Sequence, residues 1–146
     1  MREQTLTDKE KLFELIYQLK ILLENQNTVP ASIFSNKLSP AEALIKYLKE
    51  NKGLKNSEIA RMLNRDQRGI WSTNKRAQKK MPRAIPEGLE EPRIPLSIFS
   101  DRKLSILEHT VTHLRKTHKI ADIARILNKD PSTIAAVNHR ARRKLE

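Results

Sequence analysis

An internal repeat constrains the fold of this chain more than any other feature. Residues 29–35 (VPASIFS) return as residues 94–100 (IPLSIFS), and residues 59–66 (IARMLNRD) return as residues 123–130 (IARILNKD). Each copy then ends in a basic stretch. The offset between copies drifts by only one or two residues, so the length changes fall in loops. A duplicated unit of this size predicts two copies of one binding module.

The length fits either one average domain or two small ones, and the repeat favours two. We divide the chain into an N-terminal amphipathic helix (residues 1–28), repeat 1 (29–81), a Pro-rich linker (82–93) and repeat 2 (94–146). The linker prolines predict an extended, semi-stiff segment. The chain contains no cysteine, which excludes disulfides and thiolate metal sites and fits a reducing cytosol.

The net charge of +12 is concentrated in the repeats. Repeat 1 carries 12 Lys/Arg against 4 Asp/Glu and repeat 2 carries 11 against 5, whereas residues 1–28 and the linker are each at −1. Positive charge confined to two copies of one module indicates a polyanionic partner, most often nucleic acid. The alternative is a solvated Lys-rich surface, but such surfaces usually carry matching glutamates.

Capping boxes and helical periodicity predict an all-α fold. The capping boxes are at Thr7–Glu10, Ser39–Glu42 and Ser105–Glu108. They predict helices near 8–25, 40–52 and 106–118. The apolar stripe of the first helix is broad enough to need a partner, either repeat 1 or the same helix of a second chain. No segment alternates with period two for long enough to predict a strand.

Each repeat continues with a short helix, a three-residue turn and a longer helix with a basic end, the pattern of a helix-turn-helix. The short helices are expected near 56–63 and 120–127, and Asp66 and Asp130 are the expected N-caps of the longer ones. The residues expected to face inward are Ile70, Asn74, Ala77, Met81, Ile134, Asn138, Ala141 and Leu145. A buried asparagine needs partners, so we expect Asn74 and Asn138 to bond the preceding helix or turn.

These segments resemble the helix-turn-helix of region four of bacterial sigma factors. The resemblance covers about 28 residues of each repeat and rests on residues 120–127 (IADIARIL), 132–134 (STI), 139–145 (HRARRKL), 58–60 (EIA) and 76–81 (RAQKKM), with Leu63 and Ile70. It implies a DNA-binding fold. At positions where that family commonly touches bases with polar residues, this chain has Ala135, Ala136 and Val137, which offer only methyl contacts to thymine. Nothing resembles the region that binds the −10 promoter element, so we do not expect a complete sigma factor.

The outer face of each longer helix supplies the candidate DNA contacts. A helix in the major groove reads base edges with its N-terminal residues, while flanking cations hold phosphates. The base-contact candidates are Gln67, Arg68, Ser72, Lys75, Ser132, Thr133, Ala136 and His139. The phosphate-contact candidates are Arg65, Arg76, Lys79, Lys80, Lys129, Arg140, Arg142, Arg143 and Lys144.

Other chemistry has little support in the sequence. His109 and His113 lie four residues apart on one helix, but no third ligand accompanies them, so we expect no metal. Three glycines leave no phosphate-binding loop, and no nucleophile–base pair stands out, so we expect neither a cofactor nor enzyme activity. Trp71 lies at a helix flank, where half-buried packing is more typical than stacking on a base. The sequence has no apolar run long enough to predict a membrane span.

The sequence therefore predicts a cytoplasmic, nucleoid-associated protein that binds double-stranded DNA and regulates transcription. An extended linker spans roughly 37 Å, close to one duplex turn, so we expect the two tandem modules to occupy successive major grooves on about 20 base pairs. We expect this site to be non-palindromic because the modules differ. Two alternatives remain: an architectural, chromatin-like protein with low sequence specificity, and a protein-interaction module acting on RNA polymerase or another regulator. The N-terminal helix adds the option of a homodimer.

Overall fold

The computed structural model describes residues 7–87 and 92–146, apart from the side chains of Glu24 and Asn25. These residues are mostly helical, as predicted. The helices are α1 (Asp8–Asn27), α2 (Pro40–Glu50), α3 (Asn56–Leu63), α4 (Gln67–Lys80), α5 (Ile106–Leu114), α6 (Ile120–Ile126) and α7 (Pro131–Leu145). The strands are β1 (Thr28–Pro30) and β2 (Arg93–Pro95), and each is followed by a 3-10 segment, Ala31–Phe34 and Leu96–Ser100.

The helices for which the sequence predicted an N-cap all begin after the expected residue. Capping boxes begin α1, α2 and α5 at the expected residues. The Asp66 carboxylate accepts a hydrogen bond from the Arg68 backbone N–H at 3.2 Å and caps α4. Asp130 occupies the N-cap position of α7, as expected, but its side chain makes no capping hydrogen bond to this helix. At this end Pro131 supplies the first helical residue with its fixed φ.

The helix ends depend on the residues that follow them. Gly53 adopts a left-handed conformation (φ 68°) just beyond α2, as its position predicts. In repeat 2, α5 ends at Leu114 instead of near residue 118. The backbone N–H groups of Thr117 and His118 both bond the Leu114 carbonyl oxygen, which closes a turn into α6.

A two-stranded antiparallel sheet, which the sequence did not predict, joins the repeats. Val29 lies opposite Ile94, Thr28 opposite Pro95, and Pro30 opposite Arg93. Three residues are too few for an alternating pattern to be recognised in a sequence. The expectation of an entirely α-helical fold is therefore wrong at these two segments.

The two repeats share one hydrophobic core. Phe34 and Phe99 occupy corresponding positions of the repeats, both are buried, and their ring centroids lie 6.3 Å apart. Ala60 and Ala124 are buried in α3 and α6, where a small side chain allows close helix packing. Buried residues of both repeats belong to the same cluster, so the two halves pack as one body.

The first part of the linker packs against repeat 1. Ile85 is buried, and its carbonyl oxygen accepts a hydrogen bond from the Asn51 side-chain amide at 3.1 Å. The Tyr47 hydroxyl donates to the Glu87 carboxylate. Burial, followed by this carboxylate, raises the pKa of Tyr47 to about 12. The linker is therefore attached to repeat 1 as far as Glu87, and residues 88–91 lie outside the described part.

Helix α1 stands largely apart from the core. Its large apolar side chains are all 38–64% exposed: Leu12, Phe13, Leu15, Ile16, Tyr17, Leu19, Ile21, Leu22 and Leu23. Of the two partners expected for this helix, repeat 1 does not cover it. None of the described helices is long and apolar enough to cross a bilayer.

Candidate nucleic-acid interface

The turns that precede α4 and α7 have the same conformation. Asn64 and Asn128 adopt the left-handed region with φ of 54° and 52°, a conformation that asparagine tolerates better than most residues. The backbone N–H of the next residue, Arg65 or Lys129, donates at 2.9 Å to the carbonyl oxygen of Ala60 or Ala124. Each turn therefore sets the direction of the helix that follows in the same way.

The inner face of α4 is the predicted one. Ile70, Asn74, Ala77 and Met81 are all buried. Thr73, at the edge of this face, is buried as well, and its hydroxyl accepts a hydrogen bond from Arg76. The opposite face of α4 is left to solvent.

The inner face of α7 is rotated relative to the prediction. Ile134 and Ala141 are buried as expected, but Val137 is buried too. Asn138 is only partly buried, and Leu145, in the last turn beyond the core, is 51% exposed. The inward assignment of Leu145 is therefore wrong. Val137 also cannot offer a methyl group to DNA.

Asn74 lacks the hydrogen bond that its burial predicted. The residue is buried, yet its Oδ1 atom accepts no hydrogen bond from the described residues. The expected bond from the preceding helix or turn is therefore wrong for this oxygen. An unsatisfied buried acceptor costs about 1–3 kcal/mol.

The eight base-contact candidates all lie on the outer faces of α4 and α7. In α4, Gln67, Arg68 and Lys75 are exposed, while Ser72 is partly buried and its hydroxyl donates to the Gly69 carbonyl oxygen at 3.2 Å. In α7 the exposed candidates are Ser132, Thr133, Ala136 and His139. Both helices thus present their N-terminal halves to solvent, but only α4 has long cationic side chains, Arg68 and Lys75, among its base-contact candidates.

Trp71 belongs to the same exposed surface. Its side chain is 54% exposed, and the Lys75 ammonium lies 4.4 Å from the centre of its ring. This distance is typical of a cation–π contact. The corresponding residue of α7 is Ala135, so the aromatic surface is confined to repeat 1. The sequence analysis favoured half-buried packing for Trp71. Its position next to Ile70 on the helix places it at the edge of the buried face, where a large part of the ring stays exposed.

Two of the phosphate-contact candidates in repeat 1 pair with a buried carboxylate. Lys80 Nζ lies 2.9 Å from Glu42 Oε1, and Arg76 Nε lies 3.9 Å from Oε2. Burial raises the pKa of the Glu42 carboxyl, but hydrogen bonds from Ser39 and Lys80 and the charge of Lys80 outweigh it and hold the pKa below its usual value. Glu42 is therefore ionised at neutral pH and offsets part of the positive charge of both partners.

Repeat 2 reproduces this arrangement. Glu108 pairs with Lys144 at 2.7 Å and with Arg140 at 3.8 Å. Burial again raises the pKa of the carboxyl, and hydrogen bonds from Lys144 and Ser105 reverse the shift. The side chains of Lys144 and Arg140 remain 47% and 59% exposed. The pairs fix where these cations lie without removing them from the surface.

The remaining phosphate-contact candidates fall into two groups. Arg65 is partly buried, its Nε atom makes no hydrogen bond to the described residues, and burial together with the nearby Arg102 lowers its pKa. Lys129, at the same position of repeat 2, is also partly buried. The exposed candidates without an ion pair to any described residue are Lys79, Arg142 and Arg143. These three are the most available to an anion.

No family model, curated protein or solved structure matches this chain.

Proposed function

We propose that this protein is a transcriptional regulator that binds double-stranded DNA through two helix-turn-helix modules, α3–α4 and α6–α7. The observation that carries the proposal is the duplicated outer face of α4 and α7. In both helices polar side chains at the N-terminal half are followed by cations at the C-terminal half, in a chain of net charge +12. A helix that enters the major groove needs this order.

Within the proposal, α4 is the main reader of sequence. Arg68 and Lys75 carry the donors that suit the O6 and N7 atoms of guanine, and Gln67 suits adenine. Trp71 lies between them along the helix and offers an apolar surface to a thymine methyl group or a sugar. Lys79, one turn beyond Lys75, is placed to hold a phosphate.

Within the proposal, α7 mainly contacts the sugar–phosphate backbone of the DNA. Ser132, Thr133 and His139 have shorter reach, and Ala136 offers only a methyl contact. Arg142 and Arg143 are exposed and supply two phosphate contacts in the last turns. We therefore assign most of the sequence preference to repeat 1 and a larger share of the electrostatic affinity to repeat 2.

The resemblance of both modules to sigma-factor region four supports the same use of α4 and α7, in a nucleoid-associated cytoplasmic protein. It also makes RNA polymerase the second partner to test. The weak reading face of α7 favours one rival function, an architectural protein with little sequence preference. The other rival is a module that binds polymerase or another regulator without binding DNA.

Site selection from a random duplex library, followed by affinity measurement over a range of salt, separates these functions. A regulator should enrich a motif, and its log–log salt slope should be several units, because 23 of the 29 Lys/Arg lie in the repeats. Binding without a motif would favour the architectural function. Absence of binding at low salt would reject both in favour of protein interaction.

A charge-matched pair of variants locates the DNA surface. Lys79→Glu with Arg143→Glu changes the net charge by the same amount as Lys9→Glu with Lys11→Glu on α1. The first pair should lose affinity by more than about tenfold at moderate salt, whereas the second should lose little. Equal losses would mean that the affinity reflects net charge alone and not the faces of α4 and α7.

A further inference from the structure

The two repeats are related by an approximate twofold axis that passes through the sheet. Val29 pairs with Ile94, its own counterpart in the repeat. Thr28 pairs with Pro95, and their counterparts in the other repeat are Arg93 and Pro30. Arg93 and Pro30 also pair with each other in the sheet. Only a twofold rotation exchanges the strands in this way. Phe34 and Phe99 make the same kind of self-counterpart contact.

Two hydrogen bonds outside the sheet are related by the same twofold rotation. The Asn64 side-chain amide donates to the Ser100 carbonyl oxygen at 3.3 Å, and the Asn128 amide donates to the Ser35 carbonyl oxygen at 3.3 Å. Each bond runs from the turn before the outward-facing helix of one repeat to the 3-10 segment, or the residue just after it, in the other. Both turns are therefore held against the opposite repeat, which fixes the relative orientation of α4 and α7.

We propose that the protein reads two half-sites in inverted orientation on one duplex, an inference that rests on the proposed DNA-binding function. Duplex DNA has local twofold axes perpendicular to its own axis. A protein whose reading heads are related by a twofold places them on half-sites of opposite direction. The modules are tandem in sequence but not in space, so tandem half-sites do not fit them.

The two half-sites differ in base sequence although their orientation is inverted. The positions of Arg68, Ser72 and Lys75 in α4 correspond to Ser132, Ala136 and His139 in α7. The cations that follow them are retained, as with Lys79 and Arg143. The protein therefore recognises an imperfect palindrome with one strongly specified arm and one weakly specified arm.

A variant whose α7 carries Arg, Ser and Lys at the positions of Arg68, Ser72 and Lys75 gives the sharpest test. Ser132→Arg, Ala136→Ser and His139→Lys place the α4 residues on α7, at positions that are exposed and should not disturb the fold. In site selection the full-length triple variant should enrich the strong arm twice, as an inverted repeat with one fixed spacing. Enrichment of a direct repeat, or of a single arm, would overturn the inference. Failure to bind any duplex, with an unchanged unfolding transition, would instead reject the proposed function.

Binding measurements on designed duplexes provide a second readout with the unmodified protein. The two arms of its selected site are synthesised in the selected orientation and with the weak arm reversed, at several spacings. The selected orientation should bind at least about tenfold more tightly at the best spacing, since joint engagement of two heads raises affinity. Equal affinity for both orientations at all spacings would contradict the twofold arrangement on DNA.

A separate observation concerns the exposed surface of α1. Leu12, Leu15, Leu19 and Leu22 follow the alternating three- and four-residue spacing of a coiled-coil seam, and each is 58–64% exposed. Exposed leucines in a row along one helix mark a surface that a partner covers, since single exposed apolar residues are common but continuous apolar surfaces are not. An apolar groove of about 840 Å³ runs between α1 and Met62 and Leu96 of the body.

We infer that α1 of a second copy covers this seam. A helix with its own heptad seam is complementary to an identical helix. Residues 8–27 carry 3 Lys against 4 Asp/Glu, so two copies of α1 meet without the repulsion that two basic repeats would experience. Such a dimer carries four reading helices, and it would form whether or not the repeats bind DNA.

The oligomeric state tests this second inference. The seam variant is Leu15→Lys/Leu19→Lys, and the control is Phe13→Lys/Tyr17→Lys, which adds the same charge to α1 outside the seam. Sedimentation equilibrium should find a dimer at concentrations of about 10 µM and above for the unmodified protein and the control. Leu15→Lys/Leu19→Lys should give a monomer whose repeats unfold at an unchanged temperature. A monomeric unmodified protein, or a seam variant that remains dimeric, would reject α1 pairing.

Discussion

The ammonium group of Lys80, at the end of α4, lies 2.9 Å from the carboxylate of Glu42, in the first turn of α2. The same carboxylate accepts the Ser39 backbone N–H at 2.9 Å and completes the capping box of α2. One buried group therefore begins a core helix and anchors the far end of a candidate DNA-reading helix. Because repeat 2 contains the same arrangement, the two helices are held in place in the same way.

Replacing the shared carboxylate by an amide tests this anchor. Glu42→Gln keeps a hydrogen-bonding side chain in the capping box but removes the ion pairs, so it should lower the free energy of unfolding by about 1–2 kcal/mol. Glu58→Gln makes the same charge change at the start of α3, where the exposed Glu58 carboxylate accepts the Lys55 backbone N–H at 3.4 Å, and should cost less than about 0.5 kcal/mol. Urea unfolding measures both. Equal losses would show that the pairing with Lys80 contributes nothing.

The acid sensitivity of the fold should depend on the two anchoring carboxylates. The pKa values of Glu42 and Glu108 are lowered in the folded state. Their contribution is therefore complete above the unfolded pKa near about 4.3 and is lost as the pH falls through the lower folded values. The melting temperature of Glu42→Gln/Glu108→Gln should fall less between neutral and acidic pH than that of the unmodified protein. Parallel curves would contradict this assignment.

Contact between the repeats should be measurable at Asn64. Asn64→Gly keeps the left-handed turn but removes the bond to Ser100, so it should cost about 0.5–1.5 kcal/mol. Asn64→Ala loses the bond and also strains the turn, which should add about 1 kcal/mol or more. Equilibrium unfolding of the full chain compares them. If the glycine variant is as stable as the unmodified protein, the bond to Ser100 does not stabilise the association of the repeats.

Local signals in the sequence predicted the helices well, since helix caps and helical faces depend on residues three or four positions apart. The capping boxes at Ser39 and Ser105 fixed two helix starts, and the apolar spacing fixed the inner face of α4. The strand pair, by contrast, joins Val29 to a residue 65 positions away. A three-residue strand carries no periodicity of its own, so only the partner strand reveals it.

The candidate site was predictable in outline but not in its pairings. The outward position of Arg68 and Lys75 follows from helical geometry alone. The pairing of Lys80 with Glu42 depends on how α2 and α4 pack, which the sequence does not state directly. One signal was available: both copies keep a glutamate in the capping box and a lysine in the last turn. The hydrogen bond predicted for Asn74 was wrong because no local pattern in the sequence shows which groups surround a buried side chain.

Trp71 offers an intrinsic reporter of DNA binding because it is the only tryptophan of the chain. In the free protein it is 54% exposed, so acrylamide should quench its fluorescence readily. If α4 enters the major groove, bound duplex should shield the ring and lower the quenching constant by about half or more. The Lys79→Glu/Arg143→Glu variant, at concentrations where it binds weakly, is the control. Unchanged quenching in a saturated complex would place α4 away from the DNA.

The distinction between reading bases and holding phosphates can be measured with two arginines. Arg68, in the first turn of α4, and Arg143, near the end of α7, are both exposed. Arg68→Ala should cost about 1–3 kcal/mol on the selected site and relax its sequence preference, with little effect on random duplex. Arg143→Ala should weaken all sequences alike and reduce the salt slope by about one unit.

Titrations of both variants on selected and random duplexes, with Lys9→Ala on α1 as the charge-matched control, complete the comparison. Lys9→Ala should leave both affinities nearly unchanged, because α1 lies outside the candidate interface. If Arg68→Ala and Arg143→Ala lose the same affinity on both duplexes, α4 holds the backbone as α7 does. The protein would then bind DNA as an architectural protein, and its sequence preference would have to come from the deformability of the duplex instead of from base contacts.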